Sequence, residues 1–260
     1  SRSLNMSCGL GRKGTPRGMR MTGAPFIKGS SHFSGDLVVM RTARSHCRVT
    51  PDHRVVVRYS DDFYEKWVVY LMRRGPWWRV GICISAHRPY VPGSVLGRLA
   101  TEQADAGWVL GIHGTRREAL MHEAVIQGKY GIPGLTFESA KARSLSSADL
   151  HAIHDATKRE VGARAHECLR DHGLLADHPL YVRVPGGKAR GMASYWFETV
   201  AANVITRMME VPVCTTVPGK ARTKPEALPV TVTREAYDGE VISLQVHPYE
   251  HYVSGGQVVH

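Results

Sequence analysis

Cys8 stands in a polar, glycine-rich, basic stretch, Ser7-Cys-Gly-Leu-Gly-Arg-Lys-Gly14. Nearby cations favour the thiolate, which is the strongest side-chain nucleophile near neutral pH. The chain has five cysteines; the others, at 47, 83, 168 and 214, are scattered and form no Cys-x-x-Cys pair. That usage argues against a zinc site or a disulfide framework and fits a reducing, cytoplasmic setting. A thiolate aimed at a peptide bond needs a donor for the developing oxyanion and a proton for the departing nitrogen. Thr50-Pro-Asp-His53 can supply both, because a His three residues after a Thr, beside a strand end, can bring both side chains to one peptide bond. At the far end, Glu250-His-Tyr252 and Val258-Val-His260 contribute His251 and His260.

The elements that must carry these residues follow from periodicity. Residues 33–42 and 47–59 alternate apolar and polar positions, as half-buried strands do. Trp67-Val-Val-Tyr-Leu-Met72 and Trp77-Trp-Arg-Val-Gly-Ile-Cys-Ile84, joined by Arg-Arg-Gly-Pro, read as a β-hairpin. Ser94 caps a helix to about Asp105, and Trp108–Ile112 is a further strand. Thr115 caps a helix from Arg116 to about Lys129, with Glu118 completing a capping box. Residues 141–175 read as helical with Ser147 as cap, 177–195 as a linker, and Tyr195–Met209 as helix-like. Leu228–Thr233, Glu240–Val246, Tyr252–Val253 and Gln257–Val259 return to short strands. An all-β domain interrupted by an α/β module is the expected architecture.

The nucleophilic Cys8, Thr50-x-x-His53 and the ending Val253-Ser-Gly-Gly-Gln-Val-Val-His260 together resemble a self-splicing intein of the Hint fold, as does Tyr237-Asp-Gly-Glu-Val-Ile-Ser-Leu244. The resemblance implies that Cys8 converts the Ser7–Cys8 amide to a thioester. Thr50 and His53 assist that step, His251 assists Asn cyclisation at the C-terminal junction, and His260 is the penultimate His that polarises the last carbonyl. Inteins continue with Asn and then Cys, Ser or Thr. The chain as written stops at His260, so it is expected not to complete splicing, with Ser1–Ser7 as upstream flank or tag. Ser243 stands where the family often has Asp.

Residues 67–137 resemble a GIY-YIG nuclease in their order of hairpin, helix, strand and helix. Val68-Val-Tyr70 and Arg79-Val-Gly81 take the places of the two tripeptides, and Arg98 that of the helix Arg. Arg117-Glu-Ala-Leu-Met-His-Glu-Ala-Val-Ile126 puts Glu123 on the metal-binding Glu. The resemblance implies a Mg²⁺ or Mn²⁺ held by Glu123, Arg98 neutralising the phosphorane, and Tyr70 positioning or deprotonating the attacking water. Arg79 replaces the second Tyr, and the Asn expected after the last helix is missing at Gly134-Leu-Thr-Phe137. Slow or lost cleavage with surviving DNA binding is one expectation; His113 or His122 serving as base is another.

A formal net charge of +11 suits a polyanionic partner. Lys141, Arg143, Lys158, Arg159, Arg164, Arg170 and Arg183 make 138–189 a candidate DNA-contact segment. No run reaches the roughly 20 apolar residues of a membrane span. The reading is a discontinuous Hint domain (8–66 and 190–260) around a nuclease (67–137) and a basic helical segment (138–189). It has DNA and a flanking host protein as partners and is a monomer. Its rivals are a Hint domain that cleaves without ligating and a basic nucleic-acid-binding protein without catalysis.

Overall fold

Runs such as Val55-Val-Val57 and Val68-Val-Tyr-Leu-Met72 leave little choice but strands covered by other elements, since β-branched and aromatic side chains suit a packed, pleated surface. The computed structural model describes residues 5–7, 20–22, 26–85, 94–139, 144–183, 196–213, 226–246, 252–254 and 257–259. Strands dominate, with three α-helices among the described residues. The chain divides into two compact units, one of residues 1–61 with 194–260 and the other of residues 62–193.

The first unit opens with β1 (Asn5–Ser7), β2 (Arg20–Thr22), β3 (Phe26–Arg41), β4 (His46–Val49) and β5 (Arg54–Tyr59). The single strand expected over 47–59 is two, because Thr50–His53 forms a turn in which the His53 amide donates to the Thr50 carbonyl (3.1 Å). Pro51 removes a ladder donor at that point.

The second unit follows with β6 (Trp67–Arg74), β7 (Trp77–Ile84), α1 (Val95–Thr101), β8 (Ala106–His113), α2 (Arg116–Tyr130), α3 (Ser147–Asp171) and β9 (Tyr181–Val182). Its antiparallel sheet has the order β7-β6-β8-β9. Val69, Leu71, Trp78, Val80, Trp108 and Leu110 pack with Ala119 and Ile126 of α2 and with Val161, Ala165 and Leu169 of α3. The alternate positions Tyr70, Arg79, Gly81 and Gly107 point to the other face, where Leu99 of α1 lies against Gly107. Covering both faces explains why β6 reads as a continuous apolar run rather than an alternating one.

The caps largely follow the chain's local chemistry. Ser94 accepts from the Gly97 amide (3.1 Å), and Thr115 with Glu118 forms the capping box of α2. α2 ends at Gly131, whose φ of 60° suits a residue without Cβ. α1 stops at Thr101, earlier than expected, with Glu102 as its cap. α3 begins one residue beyond Ser146, which is the capping residue in place of the expected Ser147 and accepts from the Asp149 amide.

The chain then re-enters the first unit with β10 (Phe197–Val200), β11 (Met209–Val213), β12 (Glu226–Pro229), β13 (Thr231–Val246), β14 (Tyr252–Ser254) and β15 (Gln257–Val259). The helix expected over 195–209 is absent. Phe197–Val200 pairs with β5 instead, and a short 3₁₀ turn over Ala201–Asn203 leads towards β11. Its β-branched positions satisfy their backbone on the neighbouring strand, which overrides a weak local helical pattern. One sheet runs β10-β5-β11-β15-β14-β1-β2, with β12 also on β11 and β15 also touching β5. A second sheet runs β13-β3-β4, in which β3 and β13 pair without interruption from Arg41↔Thr231 to Phe26↔Val246. The two separate strands expected at 228–233 and 240–246 are thus β12 and this long ribbon, parted at the buried Val230. Among the described residues no helix is long and apolar enough to cross a membrane.

Candidate functional site

In residues 62–193, Tyr70, Arg79, Arg98 and Glu123 come from four different elements. Tyr70 lies on β6 beside an irregularity in its pairing with β8, between Val69 and Tyr70. Such a bulge re-aims a side chain. Tyr70 is 1% exposed and Arg79 5%. Arg79 Nη1 donates to the Tyr70 hydroxyl (3.2 Å) and forms an ion pair with Glu102, while Nη2 donates to the Gly134 carbonyl (3.0 Å). Glu102, 2% exposed, accepts on its other oxygen from the Phe137 amide (3.2 Å). Gly81 makes room for this knot: a Cβ there would lie 2.5 Å from the Tyr70 hydroxyl oxygen.

Burial pushes the Tyr70 hydroxyl up to about 12 despite the opposing charge of Arg79. Buried and protonated in this way, the phenol is a fixed member of the knot, held by the Arg79 guanidinium. Arg79 is likewise interior, with its charge met by Glu102. Removing either partner of such a pair leaves an uncompensated charge in a low-dielectric interior.

The more accessible members are Arg98 and Glu123, both half-buried. Burial raises the Glu123 carboxyl above its ordinary value, and the charges of Arg79 and Arg116 pull it back. The Arg98 charge acts on Tyr70 and Cys83. Arg98 Nε is buried without a hydrogen-bond partner among the described residues. One half-buried carboxylate under the charges of two guanidinium groups suits a phosphate with a single hard cation, which takes oxygen ligands and keeps its waters. Among the described residues no three His, Cys, Asp or Glu side chains form a metal-binding group; a one-carboxylate site needs none.

His113 and His122, the other base candidates, face each other, with Nε2 of one 2.9 Å from Nδ1 of the other. Burial lowers the His122 pKa, and His113 and His172 lower it further. The His122 ring is thereby held towards its neutral form, and the two rings are occupied with each other.

In the first unit, the Thr50–His53 turn is fastened by the amides of Ala201 to the His53 carbonyl (2.8 Å) and Ala202 to the Pro51 carbonyl (2.9 Å). Val259 of β15 pairs with Val55, two residues beyond His53. Asn5 of β1 pairs with Tyr252 of β14. Gln257, 1% exposed, donates from Nε2 to the Met40 carbonyl (3.0 Å) and pins β15. Cys8, His251 and His260 lie outside the described residues, as do Lys141 and Arg143.

Lys158, Arg159, Arg164 and Arg170 are exposed on α3. The helix also carries Asp149, Asp155, Glu160, Glu167 and Asp171, and Lys158 is paired to Asp155 at 3.2 Å. Its five acids outnumber its four bases, so the helix by itself is not a basic face. The sequence reading missed Glu102, Arg116 and Trp67. Glu102 carried no signal beyond an acid at the end of a short apolar helix. Comparison with protein-family models, with curated proteins and with solved structures finds no match.

Proposed function

We propose that the chain is an intein: a Hint-type splicing domain formed by both chain ends, carrying an inserted GIY-YIG-like nuclease. The observation that carries the splicing reading is that strands from both ends share one sheet. β1, which ends at Ser7 just before Cys8, pairs with β14. β15 pairs with β5 two residues past His53. Protein splicing needs a nucleophile, an oxyanion donor and an acid at one junction while a second His serves the other junction. In this reading the Cys8 thiolate attacks the Ser7 carbonyl, Thr50 and His53 assist, and His251 and His260 act at the second junction. Flanking proteins on both sides are then its substrates and partners.

The test appends Asn-Cys after His260, places marker proteins at both ends, and weighs the products by mass spectrometry. Ligated markers with a released intein, abolished by Cys8→Ala, are expected. Thiol-dependent release of the first marker without ligation would favour a Hint domain that only cleaves. An intact precursor whose Cys8 is unreactive would sink the reading.

The nuclease reading rests on Arg98 and Glu123 at the accessible side of the Tyr70–Arg79–Glu102 knot. Glu123 would hold Mg²⁺ or Mn²⁺, which when bound supplies charge neutralisation at a phosphodiester. Arg98 binds a phosphate oxygen, and Arg79 fixes Tyr70 and the Gly134 carbonyl around the site. Nicking of plasmid DNA that requires the metal and is lost in Glu123→Gln is expected; nicking unchanged in that variant would overturn the assignment. DNA retained without nicking would leave a binding protein.

A further inference from the structure

Beside the candidate nuclease site lies a cavity of about 290 Å³ lined by Trp67, Ile82, Cys83, Ile84, Arg98 and Arg116. Its walls are an indole, two isoleucines and a protonated thiol, the Cys83 thiol being pushed up to about 12 by burial. Its charged members are both guanidinium groups. Arg98 brings a buried Nε that has no hydrogen-bond partner among the described residues, and Arg116 lies over the Trp67 ring at 5.8 Å. A largely apolar pocket with an aromatic wall and two cations matches one class of ligand: a planar heterocycle carrying phosphate. Bases stack on aromatic and guanidinium planes, and arginines take phosphate oxygens through paired N–H groups.

We propose that this cavity holds one unstacked nucleotide of a DNA strand, so that the chain engages single-stranded or frayed DNA in preference to intact duplex. The proposal rests on the nuclease reading for the role of the neighbouring phosphate. The two are linked through shared residues: Arg116 acts on Glu123 and Arg98 acts on Tyr70. The exposed Arg116 is the movable part. An entering base takes its place on the indole, and the guanidinium turns to the phosphate. A base inside a duplex can enter only after paying for unpairing and unstacking, which sets the preference for strands already open.

The experiment measures fluorescence anisotropy of a labelled oligo-dT of about 12 nucleotides, a length within the site sizes of single-strand binders. A dA·dT duplex of equal length is compared at the same salt, because backbone charge alone binds both. The full chain is expected to bind the single strand more tightly. Trp67→Ala is expected to weaken single-strand binding at least about fivefold, to leave duplex binding unchanged, and to be rescued by Trp67→Phe. Should Trp67→Ala fail to fold, Ile84→Glu serves, since it sets a carboxylate at the partly exposed rim without opening a cavity and is expected to abolish the preference. Duplex bound as tightly as the single strand, or a preference unmoved by both variants, overturns the proposal. Glu123→Gln in the nicking assay judges the nuclease reading separately.

Discussion

The two units hold their candidate chemistry by different means. In residues 62–193 the site is a side-chain knot, with Arg79 bridging Tyr70, Glu102 and the Gly134 carbonyl inside the protein. In the other unit it is strand register, with Val259 set against Val55 and Asn5 against Tyr252. A knot fixes a few atoms tightly and fails when one member is removed. A ladder spreads the work over many backbone bonds, each contributing about 1 kcal/mol, and tolerates loss of a side chain. Side-chain substitutions should therefore cut deeply in the first case and shallowly in the second.

The largest expected effect is at the knot. Glu102→Ala strands the Arg79 charge and should destabilise residues 62–193 by about 3–5 kcal/mol, read as a lowered denaturant midpoint for that unit. A midpoint within error of the parent would show that the pair is not what holds the site. Gln257→Leu sharpens the other side. It leaves the buried Met40 carbonyl without its side-chain partner and should cost about 1–3 kcal/mol, with slower hydrogen exchange lost along β15 but not along β6. Equal losses in both strands would erase the distinction.

Smaller effects follow. Thr115→Ala removes the side-chain half of the α2 capping box, leaving the residue-115 amide on Glu118, and should cost about 1 kcal/mol, measured by thermal unfolding. The smallest is a dependence on pH. His122 has its pKa lowered in the folded protein, so the stability gained from its neutral form is present above about pH 6.5 and is lost as pH falls through and below that value. His122→Gln should flatten stability across that range while the parent declines; parallel curves would refute the assignment to this residue.

Much of the α/β unit was legible because its signals are local. Capping chemistry at Ser94 and Thr115, Gly131 at a left-handed cap, and the Gly75-Pro76 turn each specify an element within a few residues. The first unit was harder. Phe197–Val200 has no strong period of its own and becomes a strand only because Val57 and its neighbours wait across the sheet. The site divided in the same way. Residue types at Tyr70, Arg79, Arg98 and Glu123 suggested roles, but their exposure did not. That Tyr70 and Arg79 are interior, and that Glu102 answers Arg79, depends on what α1 and the segment after α2 lay over them.

The β3–β13 ribbon sets the order in which the polypeptide can mature during synthesis. Each rung joins a residue from the beginning of the chain to one near its end, from Arg41 with Thr231 to Phe26 with Val246. Loop closure across such a separation must be met before any rung rewards it. Residues 26–41 therefore emerge from the ribosome without their partner, while residues 62–193 have all of their own sheet available much earlier. An exposed strand waiting that long is open to pairing with a neighbouring copy. The inserted unit, folding in the interval, shortens the effective loop that β13 must later close.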